Sequence, residues 1–332
     1  MKIIAFIVLI MKKIIFILLI PCLVACGGKK VGSFKVDNSS TGKAAEVILI
    51  INNNYYTDSV AKIILEPLTQ PQPAINQIEP LFDIIQFENK DFSSHFKRHR
   101  NIVHFNIDTG YLYNTFTIET DKWANPQVYV QIKGNRLDSC LALYVENKEK
   151  IVHLLYENDL KRLHYYFLQN EDKQVQKKIQ QLFNINLKIS NHYIIAKEEE
   201  DFLWLRFRTV KNDRFVIIYK TPNVSLQEDS LIAMRNHFTK KYIPGAVAGA
   251  YPIVAEKLGF PIVQPTVING KSGVEMRGLW ESMNDKMGGP FYSFTFQNKL
   301  GEYVTVDGFV YAPQEEKRDY IREVESIVKS VR

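Results

Sequence analysis

The chain has 332 residues, of which 46% are hydrophobic, 12% aromatic and 23% charged, and its formal net charge is +6. This composition is typical of a folded globular protein and excludes a disordered, collagen-like or disulfide-stapled chain.

The first 25 residues contain two short apolar runs separated by Lys12 and Lys13. Neither run reaches the roughly 18 to 20 residues that a membrane-spanning helix needs. A positive start before a short apolar stretch is instead typical of a signal peptide, which we predict over residues 1–25. The lysine pair directly follows Met11, so Met11 is favoured over Met1 as the start of the chain.

Residues 23–27, LVACG, resemble a bacterial lipobox. In lipoproteins with this pattern the chain is cut before the cysteine, which receives fatty acyl chains such as palmitate. Cys26 is therefore the predicted lipidation site. Each buried CH₂ group contributes about 0.8 kcal/mol, so several chains anchor a protein stably and make the membrane its first partner.

Cleavage before Cys26 changes the charge and the cysteine content. It removes three lysines and lowers the net charge to +3, so no nucleic-acid partner is expected. Cys140 is then the one cysteine without an acyl chain, and a lone cysteine of this kind is typical of a buried core position.

The predicted elements after the signal begin with a flexible tether, residues 26–44, followed by an N-terminal α+β half, residues 45–184. A turn at 108–110 predicts that the strands on either side of it form a hairpin. The predicted elements are strands at 46–52, 82–88, 100–107, 111–119 and 127–133, a helix at 57–68, and a helical stretch at 136–183 interrupted near Asn170.

A second α+β half is predicted over residues 185–332. A capping box from Ser225 to Glu228 predicts the start of one helix, and Pro313 the start of the last. The remaining predictions are strands at 185–189, 193–196, 202–209, 215–219, 261–268, 272–277, 291–297 and 303–311, and a short helix at 279–287. Hairpin signals outnumber crossover helices, so we predict an α+β fold with mixed or mainly antiparallel sheets, packed helices and two halves that could be similar.

Three segments near the carboxyl end carry a family resemblance: residues 276–281 (MRGLWE), 287–291 (MGGPF) and 307–313 (DGFVYAP). Together with residues 121–127 (DKWANPQ), they resemble the domain of unknown function family 4837, lipoproteins of Bacteroidota, over about residues 40–330. The resemblance implies an envelope lipoprotein and implies no activity, because the family has none assigned.

Common catalytic signatures, such as a nucleophile elbow, a phosphate loop or a zinc-binding HExxH pair, are missing from the sequence. The candidate catalytic residues are Glu275, Glu281 and Asp285, because two carboxylates beside an aromatic ring can perform acid–base chemistry on a sugar. The alternative is a structural one, in which Arg277 pairs with these carboxylates beside a core tryptophan, Trp280.

The candidate ligand-binding residues are Trp123, Arg277, Trp280 and Tyr292. Aromatic rings beside small turn residues are common in binding sites and in loop cores alike. If the two turns that carry Trp123 and Tyr292 meet, these two side chains would line one pocket for a peptide or a glycan.

Two weaker constellations involve histidine. His95, His99 and His104 stand among basic residues and could bind an anion, although a solvated loop is the simpler interpretation. His153 and Glu157 are four residues apart on a predicted helix, but no third ligand accompanies them. We therefore predict no metal site and no cofactor.

The favoured function is a non-enzymatic envelope lipoprotein, either a binding module or an accessory to envelope assembly with protein or glycan partners. Residues 27–30, GGKK, lack the acidic signal expected for surface export, so the periplasmic side of the outer membrane is favoured. One alternative is a hydrolase of envelope glycan or peptide. Another is a component of a secretion or gliding complex, which would expose a large apolar patch.

Overall fold

A mixed five-stranded sheet organises the first half of the computed structural model, which describes residues 38–258 and 261–332. The predicted signal peptide and Cys26 lie outside the described residues. The strands are β1 (Glu46–Ile50), β2 (Asp83–Phe87), β3 (Asn101–Ile107), β4 (Thr115–Thr120) and β5 (Val128–Gly134), in the spatial order β2-β1-β3-β5-β4. All neighbours pair in parallel except β4, which runs antiparallel to β5.

Helices cover both faces of this first sheet. β1 is almost entirely buried, as a parallel strand must be when both of its faces are covered. The helices are α1 (Asp58–Leu68), α2 (Ser94–Lys97) and α3 (Leu137–Gln169), with a 3₁₀ turn at Asn89–Asp91. α1 and α3 pack on one face, while Phe92 and Phe96 of the segment around α2 cover the other.

The predicted hairpin between β3 and β4 is wrong. β5 lies between them and pairs with β3 on one side and β4 on the other. The reason is burial: most of β5 is buried and belongs in the middle of the sheet, whereas β4 alternates between exposed and half-buried positions and fits an edge.

The second sheet is antiparallel throughout. Its strands are β6 (Ile194–Glu198), β7 (Phe202–Arg208), β8 (Asp213–Thr221), β9 (Pro252–Val254), β10 (Ile262–Ile268), β11 (Lys271–Ser282), β12 (Gly288–Gln297) and β13 (Tyr303–Tyr311). They follow the order β10-β11-β12-β13-β8-β7-β6, with β9 paired to β11. The remaining helices are α4 (Lys173–Phe183), α5 (Glu228–Tyr242) and α6 (Arg318–Val328), with a 3₁₀ turn at Glu256–Leu258.

These helices sandwich the second sheet. α4 and α6 pack on one face, and α5 packs on the other. The predicted α+β fold is confirmed. The two sheets differ in strand direction, because the first is mainly parallel and the second is antiparallel. The suggested similarity between the halves is therefore not seen.

Several local predictions differ from the structure. Residues 185–189 form no strand, although Asn186 exchanges backbone hydrogen bonds with Arg332. The predicted helix at 279–287 is instead the end of β11 and the turn into β12. A short apolar run is compatible with both the helical and the strand periodicity, so the pattern alone did not distinguish them. α5 begins at Glu228 with Gln227 as its N-cap, so the predicted capping box is not formed, and α6 begins at Arg318 rather than at Pro313.

The predicted tether ends earlier than expected. The Thr41 amide donates to the Arg98 carbonyl (2.8 Å), and the Arg100 amide donates to the Thr41 carbonyl (3.0 Å). Ser40 is 2% exposed and bonds through its amide to Asn125. Small polar residues thus continue the backbone pairing of the fold, and residues 39–332 form one compact unit.

A polar seam joins the helices of the two sheets. We define it by Asp159 of α3, Glu325 and Arg322 of α6, Arg277 of β11, and Glu79. Asp159 accepts from the guanidinium of Arg322 (3.1 Å), and Glu325 accepts two hydrogen bonds from Arg277 (2.7 and 3.0 Å). These charges are buried and paired, as buried charges must be.

Glu79 adds a helix cap to the seam. Its carboxylate oxygens accept from the backbone amides of Lys317 and Arg318 (2.7 and 2.8 Å), at the amino end of α6. Such amides have no partner within the helix, and a carboxylate there also meets the positive end of the helix dipole. A residue of the first half therefore completes a helix of the second.

Candidate functional site

The α5 face of the second sheet contains a cleft of about 520 Å³, here called the aromatic cleft. The start of the loop after α5, residues 243–246, forms one of its sides. Five aromatic side chains line it: Trp204 of β7, Phe215 of β8, Trp280 of β11, and Phe309 and Tyr311 of β13.

Strand register brings these rings together. Phe215 and Phe309 stand directly opposite each other on β8 and β13, and their rings stack with centroids 4.5 Å apart. Trp280 donates its indole N–H to the Val310 carbonyl (3.0 Å). Gly289 makes room for this contact, since a Cβ there would lie 2.1 Å from the same carbonyl oxygen. The floor of the cleft is therefore held rigidly before any ligand arrives.

Charged groups stand at one side of the cleft. Arg206 makes two hydrogen bonds to Asp213 (2.7 and 3.3 Å), and Nε of Arg208 lies 3.9 Å from the same carboxylate. The side chain of Arg208 is 71% exposed. Two arginines thus share one carboxylate, which leaves an excess of positive charge and several N–H donors beside the aromatic walls.

Two polar atoms of the cleft have no hydrogen-bond partner among the described residues. They are the indole nitrogen of Trp204 and the hydroxyl of Ser282, and both atoms are buried. A buried polar group without a partner costs about 1–3 kcal/mol, so native proteins seldom keep one without a reason. Both residues line the cleft, so their unused donors lie beside the space that a ligand would fill.

A second hollow of about 390 Å³ adjoins the aromatic cleft and shares Trp280 and Tyr311 with it. Glu281 and Asp285, two of the predicted catalytic carboxylates, both line this hollow. The third does not join them. Glu275 is buried elsewhere and accepts from the Tyr292 hydroxyl (2.6 Å) and from Gln264 (2.5 Å).

The predicted ligand-binding residues are scattered. Trp280 lines both hollows, whereas Arg277 belongs to the polar seam. Tyr292 is fully buried, and burial raises its pKa well above the ordinary value. Trp123 follows β4 of the first sheet and packs against Tyr129, with ring centroids 4.8 Å apart. The expectation that Trp123 and Tyr292 share a pocket is wrong, because their turns belong to different sheets.

The three clustered histidines have separate environments. His104 is buried between the Tyr129 hydroxyl (2.8 Å) and Asn89, and burial lowers its pKa to about 4, so it is neutral near pH 7. His99 bonds to Glu46 (2.8 Å), and His95 is exposed. The structure therefore does not bring them together as one anion site.

Neither Glu157 nor Cys140 lies in a reactive environment. Glu157, whose spacing from His153 would permit a shared metal, instead accepts from Lys329 (2.9 Å). Within the part of the chain that the structure describes, no group of three His, Cys, Asp or Glu side chains could hold a metal. Cys140 is buried, and burial raises the pKa of its thiol to about 11, which makes it a poor nucleophile.

Most of the cleft was missed from the sequence, although one signal was present. Trp204, Arg206 and Arg208 alternate along β7, which places them on one face of the strand. The turn after β7 then sets Phe215 opposite Arg206 and Asp213 opposite Arg208. Alternation alone predicts the shared face, but not that this face forms the wall of a cleft.

Comparison with known protein families finds a match for each of two parts of the chain. Residues 172–330 match the model described as "Domain of unknown function (DUF4837)", and residues 40–167 match "Domain of unknown function (DUF8532)". The resemblance to the first family is confirmed, but it covers less than the expected residues 40–330, because the amino-terminal part matches the second. No curated protein matches the chain.

Among solved structures, the chain aligns with a crystal structure from Bacteroides thetaiotaomicron VPI-5482 determined at 1.50 Å. The identity is 9%, the TM-score is 0.24, and the alignment covers 45% of this chain and 44% of the other. The chain thus spans less than half of that relative's length. The sequence match to the model of the domain of unknown function family 4837 over residues 172–330 supports the predicted resemblance for that part of the chain.

Proposed function

We propose that this protein is a membrane-anchored envelope lipoprotein that binds a glycan in the aromatic cleft. The observation that carries the proposal is the pair of buried donors, Trp204 Nε1 and Ser282 Oγ, which have no partner among the described residues and line an aromatic-walled cleft. In the proposed complex, hydroxyl oxygens of the sugar accept from these donors.

The chemistry of the walls suits a sugar ring. The C–H face of a sugar is apolar and packs against aromatic rings such as Trp204 and Tyr311, while its hydroxyl groups need directed partners. Arg206, Arg208 and Asp213 supply such partners at the side of the cleft. The excess positive charge there would also favour a sugar that carries a carboxylate.

The anchor is supported by the sequence of residues 23–27, LVACG, which ends a predicted signal peptide. Acylation of Cys26 would hold the protein on one membrane, which we propose is the outer membrane, facing the periplasm. Confinement of this kind raises the effective concentration of the cleft near envelope polymers, so modest affinity suffices. Among the residues described, no helix combines the length and hydrophobicity needed to cross a membrane.

Calorimetric titration of the purified full chain tests the cleft. The probes are a soluble disaccharide–peptide fragment of the cell wall, the disaccharide alone and the peptide alone. Trp204→Phe keeps an aromatic wall but deletes the donor, so we expect roughly 5-fold to 10-fold weaker binding of the disaccharide, equivalent to one lost hydrogen bond of about 1 kcal/mol.

Trp123→Phe is the matched control, because it makes the same change in the first sheet and should bind as the wild type does. Equal binding by the Trp204→Phe variant, or binding of the peptide alone, would contradict a glycan site in the cleft.

A second candidate function is hydrolysis of an envelope glycan or peptide in the adjoining hollow. It is favoured by one observation: Glu281 and Asp285 line the same hollow, and Oδ2 of Asp285 is buried without a hydrogen-bond partner among the described residues. Product release from cell-wall fragments, lost in both Glu281→Gln and Asp285→Asn and kept in Glu275→Gln, would support it. No release by the wild type would exclude it.

A role in a secretion or gliding complex has less support. It predicts a large exposed apolar patch. The most exposed large apolar side chains in the described part of the chain are instead spread over separate loops: Ile78, Leu112 with Tyr113, Val210 and Leu300.

A further inference from the structure

We propose that the edge of the first sheet where the chain enters the fold rests on the membrane surface and inserts Trp123 among the lipid headgroups. This inference depends on the proposed acylation of Cys26. We call this edge the entry face and define it by Ser39, Phe92, His95, Lys97 and Trp123.

The entry point is fixed by backbone hydrogen bonds. Thr41 pairs with Arg98 and Arg100, and the Ser40 amide bonds to Asn125, two residues from Trp123. Arg162 of α3 donates to the Ser40 hydroxyl, which ties the same segment to the long helix. The chain therefore meets the folded unit at one defined place beside Trp123.

The length of chain before that place limits which surface can touch the bilayer. Twelve residues, 27–38, separate Cys26 from Ser39. Even at full extension they span about 45 Å. A globule of some 300 residues measures about 50 Å across, so a path around it to the opposite pole is about 75 Å. An anchored chain can thus bring the entry face to the membrane, but not the pole opposite it.

The entry face has the side chains that membrane interfaces favour. Trp123 is half-buried, and the ammonium groups of Lys97 and Lys122 lie 5.7 and 4.7 Å from its ring centroid. Phe92 meets the same ring edge-on at 5.9 Å, and His95 beside it is exposed. Tryptophan prefers the headgroup level of a bilayer, and lysine can extend its ammonium group into the aqueous layer above.

Electrostatics decides which lipid the entry face fits. Lys122 is paired with Glu119 (2.6 Å), and Lys90 is paired with Glu88. These carboxylates neutralise Lys122 and Lys90, so the entry face keeps the charge of Lys97 but falls short of the cluster of about four to eight basic residues that recognises anionic lipids. The expected surface is therefore zwitterionic, and contact with it should not depend on ionic strength.

Fluorescence quenching tests this orientation. The full acylated chain is incorporated into phosphatidylethanolamine–phosphatidylcholine vesicles whose acyl chains carry bromine near the headgroup. The chain has three tryptophans. We expect bromine to quench the wild type, Trp123→Phe to lose most of the quenching, and Trp204→Phe, the matched control, to keep it. Undiminished quenching in Trp123→Phe, or none in the wild type, would overturn the inference.

Two further readouts separate this inference from the proposal beneath it. Flotation with the vesicles and the mass of the amino-terminal peptide test acylation, so a protein that neither floats nor carries acyl chains refutes the anchor itself. A protein that is acylated and floats but shows no Trp123 quenching refutes only the orientation. Quenching that disappears at high ionic strength would contradict a zwitterionic contact.

Discussion

The carboxylates of the polar seam and two donors of the aromatic cleft differ in how completely they are hydrogen-bonded. In the seam, each carboxylate has several donors: Asp159 accepts from two arginines and the Ala45 amide, and Glu325 accepts from Arg277, Tyr156 and Lys329. In the cleft, Trp204 and Ser282 keep buried donors without a partner among the described residues. Saturated polar groups hold a fold together, whereas unsaturated ones in an open cleft indicate a place for a ligand.

Among the substitutions that test this comparison, removal of a seam carboxylate should lower the free energy of unfolding most. Glu325→Ala leaves Arg277, whose side chain is only 12% exposed, without its partner. We expect the free energy of unfolding to fall by about 3–5 kcal/mol, measured by urea denaturation. Glu198→Ala is the control, because Glu198 forms an exposed pair with Lys178 and its loss should cost at most about 1 kcal/mol. Equal effects would show that the seam is no more stabilising than a surface pair.

The same carboxylate gives the stability a pH dependence. Burial alone would raise the pKa of Glu325, but the charges of Arg277 and Lys329 outweigh it and lower the pKa from 4.5 to about 2. Since the folded-state pKa lies below the unfolded one, this contribution is complete above about pH 5 and is lost as the pH falls towards 2.

The stability difference between the wild type and Glu325→Gln should therefore shrink by up to about 3 kcal/mol over that range. Urea denaturation at a series of pH values measures it, and a difference that stays constant with pH would contradict the ion pair.

The cap supplied by Glu79 should have an intermediate effect. Glu79→Ala leaves two amides at the start of α6 without their acceptor, and we expect a loss of about 1–2 kcal/mol with faster hydrogen exchange in the first turn of α6. Glu66→Ala, at an exposed pair with Lys148, should change stability by less than about 0.5 kcal/mol. Unchanged exchange in α6 would argue that the cap does not join the two halves.

The smallest expected changes in stability come from two buried serines, one in each region. Ser326 donates to the Leu160 carbonyl (3.1 Å) beside the seam, so Ser326→Ala should cost about 1 kcal/mol of stability. Ser282 is 7% exposed and its hydroxyl has no partner among the described residues, so Ser282→Ala should leave stability unchanged or raise it slightly, while weakening ligand binding. Thermal denaturation of both variants checks this, and a clear loss of stability in Ser282→Ala would count against a ligand role.

The sequence predicts the helices and strands better than it predicts how they pair and pack. The buried run of β1, the interruption between α3 and α4 near Asn170, and the β12–β13 hairpin follow from local patterns. The place of β5 between β3 and β4 does not, because strand order depends on burial across the whole sheet. Likewise α4 packs into the core of the second sheet, although the predicted boundary after residue 184 assigned it to the first half.

The candidate site shows the same limit. Trp280, Glu281 and Asp285 stand close in sequence and line connected hollows, so a local motif found them. Glu275 lies on the same strand but is buried against Tyr292, a position set by strand register. The contacts of Glu79 with α6 span 238 residues, a pairing for which the sequence contains no local signal.

The most direct test of the cleft is nuclear magnetic resonance of the three indole N–H groups during titration with the cell-wall disaccharide. Trp123 lies in the first sheet, so its resonance should move little. Trp280 lines the cleft but already donates to Val310, so its hydrogen-exchange rate should stay the same even if its resonance shifts. The account predicts a saturable shift and slower hydrogen exchange at Trp204, assigned through the Trp204→Phe variant. Saturable disaccharide binding that leaves the Trp204 resonance unmoved, or no binding at all, would contradict it.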